Sequence, residues 1–184
     1  VAGGPLPRAP PVRSPRGGPR RAGAAGGAPR LVSLPGGRGG AVRTVDVVVI
    51  GAGQAGLSAG YHLRRRGFVP LDRAAPSDQT FVILDADHAP GGAWQHRWRS
   101  LRMATVNGIY ELPGMPVPPV DPELPARDVL PPYFAAYEQE FGLDVHRPVT
   151  VRRVTRNGDD PHGRLLVQTD GETYAARFVI NATG

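Results

Sequence analysis

The stretch VDVVVIGAGQAGLSAGYHLRRRG, Val45 to Gly67, decides the fold. Val45–Ile50 is a short apolar run rich in β-branched residues, as expected of a strand buried on both faces. Gly51, Gly53 and Gly56 follow in G-x-G-x-x-G spacing. Gly56, Ala59, Gly60 and Leu63 then recur at helical spacing, so one small face of a helix can pack close to a sheet. Arg64, Arg65 and Arg66 suit the helix C-terminal dipole, and Gly67 is a natural stop. FVILDAD, Phe81–Asp87, reads as a second buried strand. The order is β-α-β, which implies a parallel pair joined by a right-handed crossover.

The glycine spacing alone is a weak signal, since Gly-rich chains produce it by chance or as a purely structural turn. With a buried strand before it, a helix after it and a second strand ending in an acid, it reads as a dinucleotide site. Gly51 permits the tight turn. Gly53 lets the backbone approach a pyrophosphate, and Gly56 lets the helix press on the sheet. The N–H groups at the positive end of the helix then bind phosphate. Asp85 is placed to accept a hydrogen bond from a ribose 2′-hydroxyl and to repel a 2′-phosphate, so the site favours FAD or NAD over NADP. Asp85 lies 29 residues after Gly56, where ~20 is typical. The excess falls in VPLDRAAPSDQT, Val69–Thr80, read as an inserted loop. The rival acid, Asp72, follows the helix too soon and lies on no clear strand.

Downstream, a helix is expected over about Val129–Phe141, capped by Asp128, with Pro131 and Pro132 in its first turn. Phe134, Tyr137 and Phe141 form its apolar face, and Gly142 ends it. Strand-like runs follow at Val145, Val149–Val154, Leu165–Thr169 and Thr173–Ala175, with turns at Asn157-Gly158 and Asp170-Gly171. Phe178–Asn181 reads as a last buried strand running into Ala182-Thr183-Gly184. The fold class is α/β: a Rossmann-like domain with a parallel sheet, a small antiparallel β-meander and a disordered N-terminal tail.

That tail carries the basicity. The chain of 184 residues has a net charge of +6, but residues 1–43 hold eight of the 22 basic residues and no acid. The remaining 14 basic residues face all 16 acidic ones, so residues 44–184 are mildly acidic. Residues 1–43 also contain eleven Gly and eight Pro, a composition that cannot bury enough apolar area to offset its ordering entropy. Arg20-Arg21 hints at twin-arginine export, but no sustained apolar stretch follows before Gly36-Gly37. An Arg/Gly tail that touches RNA is a further reading, and nucleic acid is not the expected partner. A Val at position 1 and a first Met at Met103 fit a misplaced or alternative start. No run approaches a membrane span, and a cytoplasmic location is expected. The five histidines show no ligand spacing, so no metal is expected. The absence of cysteine removes disulfides and a redox-active thiol pair.

The segment PGGAWQHRWRSLRMATVNGIYELPGMPVP, Pro90–Pro118, adds a second layer. It contains Gly91-Gly92-x-Trp94, Arg97-Trp98-x-Ser100-Leu101 and Leu112-Pro113-Gly114-Met115-Pro116. With the glycine turn, RDVLPPYFAAYEQEFGLDV and the closing ARFVINATG, this resembles the flavin-containing monooxygenase-like flavoproteins, especially the bacterial CzcO-like group. The resemblance covers about Val45 to Gly184. It implies that Gly51, Gly53, Gln54, Ala55 and Gly56 hold the FAD pyrophosphate and that Asp85 holds the adenosine ribose. It implies that Gly92 and Trp94 lie along the flavin, with Trp98 left in the core. It also puts Val151 near the adenine and Ala182, Thr183 and Gly184 near the cofactor. His96 lies beside the flavin turn. Arg97 and Asn107 are candidates for polar contacts there, and no acid–base pair is nominated.

The chemistry so implied is hydride transfer from NADPH to FAD, then insertion of one oxygen of dioxygen into a small-molecule amine, sulfide or ketone. A second Gly-rich strand-turn-helix for NADPH belongs to that scheme, and none is found on a strand-to-helix junction here. Residues 44–184 are therefore expected to be an incomplete FAD-binding domain, from a truncated chain or one completed by a second chain. Two alternatives stand beside it: a stand-alone FAD- or NAD-binding module without turnover, and an Arg/Gly-tailed interaction protein.

Overall fold

The computed structural model describes residues 42–106, 111–158 and 163–184. Its elements in chain order are β1 (Val42–Ile50), α1 (Gln54–Arg65), β2 (Val69–Pro70), β3 (Thr80–Leu84), α2 (Ala126–Phe141), β4 (Val145–His146), β5 (Val151–Arg156), β6 (Leu165–Thr169) and β7 (Thr173–Asn181). The strands form one sheet in the order β2-β3-β1-β7-β6-β5, with β4 beside the end of β3. β1 runs parallel to both β3 and β7. β6 is antiparallel to β5 and β7. The parallel half and the meander thus share a sheet through β7. The expected tail up to residue 41, Asn107 and His162 lie outside the described residues.

The β-branched run of β1 explains its central place. Val47 and Val49 face a cluster with Leu57 and Leu63 of α1, Phe81 and Ile83 of β3, and Tyr133, Phe134 and Tyr137 of α2. Val48 faces the other way, with Val82, Leu84, Val167 and Tyr174. Alternate side chains of one strand therefore anchor two apolar layers. The helices cover one, and residues of the meander and β4–β5 connection close the other. Among the described residues no helix is long and apolar enough to cross a membrane.

Four local expectations change. β1 starts at Val42, and Arg43, counted with the tail, pairs with Asp72 and Glu172. The inserted loop carries two-residue β2 and a 3₁₀ turn over Leu71–Arg73. α2 begins at Ala126, so Asp128 sits in its first turn and is not its cap, and Pro131 and Pro132 lie inside it. The helix starts early because the Leu101 carbonyl accepts the Ala126 N–H at 2.9 Å. The prolines deprive the carbonyls of Arg127 and Asp128 of helical donors, but both residues are exposed, so solvent can reach them.

The last two strand-like runs are one strand, β7, and its end is not buried. β6 pairs with β7 only over Thr173–Ala176, whereas β1 pairs with it through Asn181. Beyond Ala176 one edge of β7 has no strand beside it among the described residues, and Phe178 is 59% exposed.

Candidate functional site

Three loops converge at the C-terminal ends of the parallel strands. The first is the turn between β1 and α1. Gly51 has a φ of +95°, and a Cβ placed on it would lie 2.6 Å from the Ala182 carbonyl oxygen. A Cβ on Gly56 would lie 1.9 Å from the Gly51 carbonyl oxygen. Both glycines are therefore demanded by the protein's own packing. Gly53 is different: among the described residues a Cβ there would meet no atom within 4 Å. It lies at the start of α1, where there is no side-chain cap and no acid in the first turn. The first-turn N–H groups of a helix lack intrahelical acceptors and carry its positive end. Gln54 and Ala55 begin that turn, and Ala55 is exposed.

The second loop holds Gly91 and Gly92. Gly92 has a φ of +50°, and its Cβ would come within 3.0 Å of the Gly53 Cα. A 3₁₀ turn over Gly92–His96 follows, carrying Trp94 half-buried against the helix-side core. The Arg97 guanidinium lies 5.8 Å from the Trp94 ring centroid, and His96 Nε2 is 3.1 Å from Asp87. Trp98, expected in the core, is 77% exposed. Being apolar made it a core candidate, but the chain leaves the 3₁₀ turn at Arg97 and carries it outward. The third loop is Ala182-Thr183, held by the Ala182 N–H on the Ile50 carbonyl at 2.9 Å. Gly184 follows at the chain's end, exposed.

Asp85 sits just past β3 and is 7% exposed. Its Oδ2 accepts from Arg147 Nε at 2.8 Å, and Arg147 donates twice more, to Glu138 of α2, at 2.7 and 2.8 Å. Burial alone would lower the Arg147 guanidinium, but the hydrogen bonds and charges of Glu138 and Asp85 outweigh it and hold it above its ordinary value. Neither Arg147 nor Glu138 was singled out from sequence. The one available signal was generic, that a buried carboxylate needs a cationic partner. Val151 opens β5 and packs into the second apolar layer. It lies two residues past Val149, whose N–H donates to the Asp85 carbonyl at 2.7 Å. The rival acid Asp72 points elsewhere, to Arg43 and His146.

The Leu112–Met115 turn is pinned by α2. The Tyr133 hydroxyl accepts from the Leu112 N–H at 3.0 Å and donates to the Met115 carbonyl at 2.6 Å. The Tyr137 hydroxyl donates to the Pro113 carbonyl at 2.7 Å. A Cβ on Gly114 would strike the Tyr61 ring at 2.7 Å. The Leu-Pro-Gly-Met-Pro motif is thus a turn seated on three tyrosines.

A βαβ unit with a glycine turn at the helix start, an acid after the next strand and two further loops meeting that turn defines a Rossmann-like dinucleotide-binding protein. More narrowly, the chain belongs to the pyridine nucleotide-disulphide oxidoreductase family, whose profile matches residues 48–184. It is 32% identical over 139 residues to the uncharacterized oxidoreductase CzcO of Bacillus subtilis, covering 76% of this chain and 36% of that protein. Among solved structures it resembles a flavin-containing monooxygenase from Stenotrophomonas maltophilia, with 47% identity, a TM-score of 0.63, and coverage of 77% of this chain and 39% of that one. It also resembles a cyclohexanone monooxygenase variant from Rhodococcus sp. Phi1 bound to NADP+, with 25% identity, a TM-score of 0.60, and coverage of 77% and 26%. The chain spans less than two fifths of the length of these relatives. It is an FAD-binding portion of a flavoprotein oxidoreductase. Despite the family's name, its 184 residues contain no cysteine for disulfide chemistry.

Proposed function

We propose that FAD lies across the three converging loops, with its pyrophosphate over Gly53 and the N-terminal N–H groups of α1. The observation that carries this is the contrast among the glycines. Packing explains Gly51 and Gly56, whereas no contact among the described residues requires the absence of a side chain at Gly53, which leaves room for a ligand there. Ala55 and Gly56 contribute backbone donors and positive potential to an anion there. Asp85 holds the adenosine ribose, and Val151 lies by the adenine. Gly92, Trp94 and the Ala182–Gly184 turn line the flavin side. Arg97, with its guanidinium 5.8 Å from the Trp94 ring centroid, is the cation proposed for that side.

Bound FAD would supply the redox chemistry, hydride acceptance from NADPH and electron donation to dioxygen. The resulting reaction is oxygenation of a small molecule, an amine, sulfide or ketone, by a complete assembly. In that assembly residues 44–184 form the FAD-binding domain, and a further segment or second chain supplies the NADPH site. Support comes from the absence of a second G-x-G-x-x-G at a strand-to-helix junction in these residues. The same observation favours a second reading, an FAD-binding module without turnover of its own.

The test is titration of the purified chain with FAD, followed by flavin fluorescence and absorbance. Saturable one-to-one uptake is expected, and a colourless protein that takes up no FAD overturns the proposal. NADPH oxidation by this chain alone would contradict the need for a further segment.

A further inference from the structure

The proposed ribose acid does not stand alone. Its backbone is clamped on both sides by the segment that carries Arg147: the Asp85 N–H donates to the His146 carbonyl at 3.0 Å, and its carbonyl accepts from Val149 at 2.7 Å. Its carboxylate is clamped by Arg147 Nε on Oδ2. Arg147 is in turn fixed by its two-pronged contact with Glu138. The three side chains are 10–13% exposed. Two carboxylates and one guanidinium leave the group one net negative charge. Among the described residues no donor reaches Asp85 Oδ1, so one acceptor oxygen remains in a fixed direction. An arginine near a ribose acid commonly reads a 2′-phosphate. Here three of its five N–H donors are taken, Nε by Asp85 and one on each terminal nitrogen by Glu138.

We infer that Arg147, braced by Glu138, is a positioning residue that fixes Asp85 so that Oδ1 alone meets a ribose 2′-hydroxyl. This rests on the FAD reading above and deepens it. A planar fork with an Nε–H can hold both acids at once, and a lysine's single ammonium cannot reproduce that geometry. The charge left over favours a hydroxyl and opposes a 2′-phosphate.

The test uses the full chain with FAD bound, displaced by ADP or by 2′-deoxy-ADP, which differ only in the hydroxyl at issue. The wild type should prefer ADP about tenfold, as expected of a hydrogen bond to a charged group. Asp85→Asn and Arg147→Gln should each bring the ratio towards one, Arg147→Lys should not restore it, and Glu138→Gln should give an intermediate ratio. The double variant Asp85→Asn/Arg147→Gln should lose no more discrimination than Asp85→Asn alone. Glu138→Gln keeps the Arg147–Asp85 pair neutral, so it reports even if Arg147→Gln does not fold. A purely structural role would weaken both competitors equally and leave the ratio at its wild-type value. That result in folded Arg147→Gln or Glu138→Gln overturns the inference, as does a wild type with no preference. A wild type that binds no FAD instead overturns the reading on which it rests.

Discussion

The Gly51 Cα and the Ala182 carbonyl are in contact so close that a single added carbon would sit 2.6 Å from that oxygen. The turn that opens α1 and the turn that follows β7 are therefore one packed unit, although 131 residues separate them. Gly51→Ala adds this clash to a positive φ and should cost about 2–4 kcal/mol of stability. Gly53→Ala meets no atom of the described residues and should cost within about 1 kcal/mol. It should nevertheless weaken FAD binding at least tenfold, as a methyl group placed against the pyrophosphate. Thermal melts and FAD titration of the two variants separate packing glycine from binding glycine. Equal FAD affinity for Gly53→Ala and wild type would remove the main support for the proposed site.

The tyrosines under the Leu112–Met115 turn make a second contrast. Tyr133→Phe leaves both the Leu112 N–H and the Met115 carbonyl without their partner, whereas Tyr137→Phe orphans only the Pro113 carbonyl. Unpaired buried groups cost about 1–3 kcal/mol each. Urea denaturation should show both variants destabilised, Tyr133→Phe more than Tyr137→Phe. The reverse order would mean that the turn is held chiefly by the Gly114 contact with Tyr61.

Tyr174 sets an alkaline limit. Burial, then the hydrogen bond and charge of Glu172, push its phenol from 10 up to about 12. The folded state thus holds this proton more tightly than the unfolded chain. Its contribution is complete below pH 10 and is lost as pH rises from 10 towards 12. A two-unit difference corresponds to roughly 3 kcal/mol. Stability measured by denaturant titration should fall over that range, and Tyr174→Phe should flatten the slope by about one proton. An unchanged slope would show that other groups carry the alkaline transition.

How much of this was readable beforehand follows from which interactions are local. β1, the glycine turn, α1 and β3 declare themselves through β-branched runs, glycine spacing and helical periodicity. The excess between Gly56 and Asp85 reads from sequence as a loop without periodicity, and two of its residues pair as β2 with Thr80 and Phe81. The Arg147 brace was not readable, because parallel pairing of β4 on β3 brings together residues 62 apart in sequence. Phe178 misled because its apolarity suggests burial, while its exposure is set by how far β6 extends. The start of α2 escaped because a tertiary acceptor, the Leu101 carbonyl, replaces a sequence-local cap.

The two tryptophans turn the exposure of Trp98, expected in the core, into an assay. Trp94 is half-buried on the 3₁₀ turn that abuts Gly53, and Trp98 is 77% exposed. No other tryptophan is present, so each single substitution leaves one emitter. Trp94→Phe should leave red-shifted emission from Trp98 that acrylamide quenches freely. Trp98→Phe should leave bluer emission that acrylamide reaches poorly. Since an exposed indole contributes little packing, Trp98→Phe should change stability by no more than about 0.5 kcal/mol. Added FAD should quench Trp94 in the Trp98→Phe variant more than it quenches Trp98 in the Trp94→Phe variant, because the flavin side of the proposed site is lined by Trp94. Preferential loss of Trp98 emission would place the flavin on the outer side of the Arg97–Trp98 segment, and would remove Gly92 and Trp94 from the binding surface.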